Sequence, residues 1–103
     1  MDSIEAAPFE NLSEDQAERL LQHYYNIEKL LTGGTAIAII MIIARHTAIL
    51  GEARISHKTF QQYFGVCRRT VDNAMKQLRK HNLIERIGTD TRGFAIYRAN
   101  LPV

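Results

Sequence analysis

Apolar residues recur at helical spacing from Ser13 to Leu31, where Ala17, Leu20, Leu21, Tyr24, Ile27, Leu30 and Leu31 form a broad stripe. Ser13 with Gln16 three residues later predicts a capping box at the start of this helix. Thr32-Gly33-Gly34 interrupts it, and Thr35 is placed to cap a second helix running to about Ile49. That second stretch is apolar nearly all round, which predicts the most buried element of the fold. Residues 1–12 hold no sustained period and include Pro8, so they read as an N-terminal arm without regular structure. Phe9 and Leu12 are the residues that would tack it to the body.

After Gly51 the period changes. Glu52-Ala53-Arg54-Ile55 reads as a short first strand. Ser56 is a good N-cap for a short helix that ends at Gly65, the residue most able to take a left-handed conformation. A second amphipathic helix begins near Cys67 and reaches His81. Its Val71, Ala74, Met75 and Leu78 share one face, and its Arg69, Asn73, Lys76 and Lys80 share another. Asn82 is suited to its C-terminal cap. Leu83–Ile87 and Phe94–Arg98 then read as two strands, with turn chemistry at both ends of the 88–93 connection. The expected fold is mainly α with a small β-hairpin, in the order α-α-β-α-α-β-β.

Charge changes the picture more than composition does. The 103 residues carry a net charge of only +2. Residues 1–32 hold seven acids and two bases, a net −5, whereas residues 33–103 hold eleven bases and four acids, a net +7. A basic C-terminal two-thirds is the footprint of a module that contacts phosphates. The acidic N-terminal part would face away from such a partner.

The Gly65 turn between two short helices resembles the winged helix-turn-helix family of DNA-binding domains. The match runs from about Thr35 to Leu101, and Phe64-Gly65-Val66-Cys67-Arg68-Arg69-Thr70-Val71 carries the turn and recognition-helix start. Ala74-Met75-Lys76-Gln77-Leu78 followed by His81-Asn82-Leu83-Ile84 is similar to the family's passage into its wing. Cys67 and Gln61 depart from the family's usual Ser and Ala. A narrower likeness is to winged-helix domains of plasmid replication initiators and of plasmid or phage regulators.

The resemblance implies a winged-helix domain over residues 13–103, binding double-stranded DNA by sequence. It would act as a transcriptional regulator or as a plasmid replication, partition or transfer accessory. The helix 67–81 would enter the major groove, and the 88–93 wing would meet the backbone or minor groove. Arg68 and Arg69 could read guanine or clamp phosphates, while Thr70 and Asn73 could add contacts to bases. Lys58, Lys76 and Lys80 read as phosphate contacts, with Thr91 and Arg92 at the wing tip. Two-fold palindromic sites favour a homodimer, for which the helix 13–31 is the candidate element. The alternative is a protein-interaction winged helix that never touches DNA.

Other classes fit poorly. His23, His46, His57 and His81 show no metal-ligand spacing among themselves or with Cys67. There is no nucleophile setting and no glycine-rich phosphate loop, so neither an enzyme nor a cofactor is expected. His46, on the apolar helix, reads as a hydrogen-bonded core or boundary residue. The longest apolar run, Ala36–Ala44, is far short of the ~20 residues of a membrane span. One Cys excludes an internal disulfide and fits a reducing cytoplasm. Beside two arginines at a helix start, the Cys67 thiolate would be favoured; the plainer reading is a Cys at a capping position.

Overall fold

The structure is a computed structural model describing residues 3–7, 9–28 and 33–100. Among the described residues four α-helices precede a two-stranded antiparallel hairpin: α1 (Glu14–Glu28), α2 (Gly34–Leu50), α3 (His57–Phe64), α4 (Arg68–Lys80), β1 (Ile84–Thr89) and β2 (Ala95–Ala99). Residues 29–31, the expected end of the first helix, lie outside the described residues.

Helix boundaries follow their capping chemistry. At the start of α1 the Ser13 hydroxyl accepts from Gln16 N at 3.2 Å, and the Gln16 side chain accepts from Ser13 N at 2.9 Å. This reciprocal pair satisfies two donors that a helix start leaves open. α2 begins two residues earlier than its sequence implies, with Gly33 rather than Thr35 as its N-cap and no side-chain cap bond. It closes at Gly51, whose φ of 85° is left-handed. The Ser56 side chain accepts from Thr59 N, capping α3.

α3 and α4 end in the same way. Gly65 and Asn82 both take positive φ, at 65° and 56°. Beyond each, a backbone N–H reaches back over the last turn: Val66 to Gln61 O at 3.2 Å, and Leu83 to Leu78 O at 3.0 Å. These bonds satisfy carbonyls that a helix end would otherwise leave bare.

The core is one cluster centred on α2. Ile39, Ile40, Ile43, Phe60, Val71, Met75 and Leu78 are fully buried, and α1, α4 and β2 all pack on α2. His46 is buried among them, its Nε2 3.0 Å from Ile4 O. Arg45 donates to the same carbonyl at 3.0 Å. The N-terminal stretch thus departs from its reading as an unstructured arm. Ile4 and Ala7 are buried, and two single 3₁₀ turns, Ile4–Ala6 and Phe9–Asn11, lead into α1. Two side chains on α2 converge on one carbonyl and hold it.

The order α-α-β-α-α-β-β is not observed, because residues 52–55 form no strand. A single antiparallel bridge pairs Ala53 with Tyr97, through bonds of 2.7 and 3.0 Å. Only four residues separate the left-handed Gly51 from the Ser56 cap, which leaves room for one paired residue. β1 runs two residues past its expected end, to Thr89, and β2 begins one residue late, so the connecting loop is 90–94. The register shifts between Arg86 and Gly88, a β-bulge at Ile87. Among the described residues no helix is long and apolar enough to cross a membrane.

Candidate nucleic-acid interface

The amphipathic pattern of α4 sorts its side chains by face. Val71, Ala74, Met75 and Leu78 are buried against the rest of the core. The opposite face carries Arg69, Asn73, Lys76 and Lys80, spaced i, i+4, i+7 and i+11 and all exposed. Over a rise of 1.5 Å per residue this stripe is about 16 Å long. Arg69, Lys76 and Lys80 make no ion pair among the described residues, so three cations on one exposed helix face are uncompensated.

The other expected contacts are distributed around this stripe. Arg68 opens α4 on the flank toward α3, its side chain 80% exposed, with Nε 3.6 Å from Asp72 Oδ2. Lys58 is the second residue of α3 and is exposed. Lys58 and Arg68 line a shared cleft with residues of the hairpin. Thr70 is half-buried, its hydroxyl 3.3 Å from Cys67 Sγ. With Asn73 it borders a hollow against Gly33–Ala36, so both sit toward the start of α2, at the edge of the basic face.

At the hairpin tip the geometry is closed. The Asp90 side chain, 7% exposed, accepts from the backbone N–H of Arg92 and of Phe94, each at 2.9 Å. Its other oxygen is 3.9 Å from Arg92 Nε, and the Arg92 guanidinium lies 5.2 Å from the Phe94 ring centroid. Arg92 is therefore folded back on its own loop. Thr91, Arg92 and Gly93 are all exposed at the tip.

Three residues emerge that the sequence reading passed over. His57, first in α3, places Nδ1 2.8 Å from Asp72 Oδ1 and Nε2 3.4 Å from the Tyr97 hydroxyl. It links α3 to both α4 and β2. Arg79 and Arg86 join Lys58 and Arg68 in lining the cleft. The helical spacing held a signal for Arg79, which follows Arg68 by eleven residues and so shares its side of α4. Nothing in the sequence marked Arg86 or His57.

Cys67 is exposed and caps α4 with no side-chain bond to a backbone N–H. Hydrogen bonding to Thr70, chiefly to its side-chain hydroxyl, pulls the thiol below its ordinary pKa. Among the described residues there is no group of three or more side chains able to hold a metal ion.

No family model, no curated protein and no solved structure matches this chain.

Proposed function

We propose that this chain binds double-stranded DNA by sequence, with α4 entering the major groove. The observation that carries the reading is the exposed stripe Arg69, Asn73, Lys76 and Lys80, bare of acidic partners among the described residues, on a helix whose opposite face is locked in the core. A rigid helix presenting cations and an amide along about 16 Å suits a groove lined by base edges and flanked by phosphates. The Ser56-capped α3, the left-handed Gly65 and the following hairpin support a winged-helix arrangement around it. In that reading Arg69 and Asn73 read bases, and Lys58, Lys76 and Lys80 hold phosphates. In the same reading the 88–93 hairpin meets the backbone or the minor groove, with Thr91 and Arg92 at its tip. The biological role is that of a transcriptional regulator or a replication, partition or transfer accessory in the cytoplasm.

A second copy of the chain would double the contact set and match a palindromic site. Leu21 and Tyr25, one turn apart on α1, are 60% and 61% exposed and form the face such a copy would cover. That same apolar pair favours the alternative reading, a protein-interaction module without DNA. Binding to random-sequence duplex pools at several salt concentrations separates the two. Duplex binding whose logarithm falls linearly with the logarithm of salt, with a recovered consensus sequence, supports the proposal. No binding at 50 mM salt leaves the interaction module.

A further inference from the structure

Beside the stripe on α4 lies a second basic feature of a different kind. A cleft of about 780 Å³ opens between the first turn of α3, the flank of α4 and the hairpin. Its size is within the range of small-molecule sites. Four cations line it, Lys58, Arg68, Arg79 and Arg86, and no carboxylate is among its lining residues. Lys58 and Arg79 make no ion pair among the described residues, and Arg86 donates only to the Thr89 hydroxyl at 2.8 Å. Asp72, which touches the lining residues His57 and Arg68, is engaged by both of them.

Shape adds to charge. Arg68 and Arg79 stand three turns apart on one side of α4, so the cleft carries cations at stations about 16 Å apart. A single ion cannot meet both. Tyr97 and Phe94 supply an apolar wall, and Tyr97 is held by the His57 ring. A concavity lined by one sign of charge concentrates counter-ions. Guanidinium forks match phosphate oxygens two at a time.

We propose that this cleft is an oligophosphate site: it takes an anion with two or more phosphate groups spread along its length. Arg68 and Lys58 hold one end, and Arg79 and Arg86 hold the other. The phosphates come either from one strand of a duplex seated on α4 or from a free phosphorylated compound. The chemistry of the cleft is independent of the DNA reading, since its two distal arginines lie outside the base-facing stripe.

Calorimetric titration of the full chain with a linear polyphosphate long enough to span about 16 Å tests the site directly. The expected result is saturable binding to one site. Joint substitution Arg79→Gln and Arg86→Gln should weaken it about tenfold or more, the loss expected when charge-assisted bonds are removed. The pair Arg54→Gln and Arg98→Gln removes the same charge outside the cleft, at residues paired with Glu52 and Glu85, and should leave binding unchanged. Absence of saturable binding by the unaltered chain, or equal weakening in both double variants, overturns the proposal. Far-UV dichroism confirms that each variant is folded. A duplex arm then identifies the source. If the Arg79 and Arg86 variant also loses duplex affinity, with a salt slope shallower by about two, the phosphates are those of a DNA strand. If duplex affinity holds, they belong to a free compound. A chain that binds the polyphosphate and no duplex sinks the DNA reading and leaves the cleft standing.

Discussion

His57 Nδ1 lies 2.8 Å from Asp72 Oδ1, and this contact ties the first residue of α3 to the middle of α4. The opposite carboxylate oxygen reaches toward Arg68, and the far side of the imidazole faces the Tyr97 hydroxyl. Three elements therefore meet at one side chain. Both partners are partly exposed, so the pair contributes modestly: about 0.5–1 kcal/mol of coupling is expected. A double-mutant cycle with His57→Ala and Asp72→Ala, read by urea unfolding, measures it. Strict additivity would show that the two helices are aligned by the core alone.

The stripe on α4 separates base reading from phosphate holding. Arg69→Ala should weaken the preferred duplex by about 1–3 kcal/mol and relax one position of the consensus. Lys80→Ala should weaken all duplexes alike and make the salt slope shallower by about one. Equal loss on preferred and random DNA would assign Arg69 to a phosphate.

Cys67 and Ser56 occupy equivalent positions before their helices, but only Ser56 accepts a backbone N–H bond. Cys67→Ser should raise the thermal midpoint and retain duplex affinity, because a hydroxyl caps better than a thiol. Loss of binding in reducing buffer would give the thiol a functional role. Ser56→Ala should cost about 1 kcal/mol, with the same scan as readout.

Neighbours on α1 should behave oppositely. Leu20 is fully buried, and Tyr24 is half-buried with its hydroxyl donating to Met41 O at 3.0 Å. Placing Asp at Leu20 buries an unpaired carboxylate and should unfold the chain. Placing Asp at Leu21 or Tyr25 should leave the fold intact and, if a second copy docks there, shift sedimentation to the monomer. An unchanged dimer would locate the interface elsewhere.

Acid should destabilise the fold through two histidines. Burial pushes both His23 and His46 below the ordinary value of 6.5. In the unfolded chain each takes up a proton near pH 6.5, while the folded chain resists until lower pH. Stability is therefore fully present above about 6.5 and is lost as pH falls toward the folded values. His23 Nε2 is buried with no hydrogen-bond partner among the described residues. His23→Leu should flatten the fall in thermal midpoint between pH 7 and pH 5, and His46→Leu should do so while loosening the Ile4 contact. An unaltered pH profile in both variants would locate the acid sensitivity in other groups.

Local chemistry was legible in the chain. The capping box at Ser13, the Ser56 cap and the Gly51, Gly65 and Asn82 terminators each depend on bonds within a few residues, and each appears as its sequence implies. The split faces of α4 were equally legible, because helical periodicity alone determines which side chains share a side. Long-range contacts were not. Whether residues 52–55 form a strand depends on how far Tyr97 approaches, and only Ala53 pairs. The N-terminal stretch is held by Arg45 and His46 from across the fold, a contact no local period encodes. The cleft joins Lys58, Arg68, Arg79 and Arg86 from three elements, so its existence depends on how the hairpin lies against α3 and α4. Arg92 has the composition of a free wing cation, but the Asp90 turn and the Phe94 ring draw it back. The sequence by itself determined the elements and their polar faces, since those follow from neighbours along the chain. Tertiary structure alone decided which cations converge and which are spent internally, because that is a matter of distance in space.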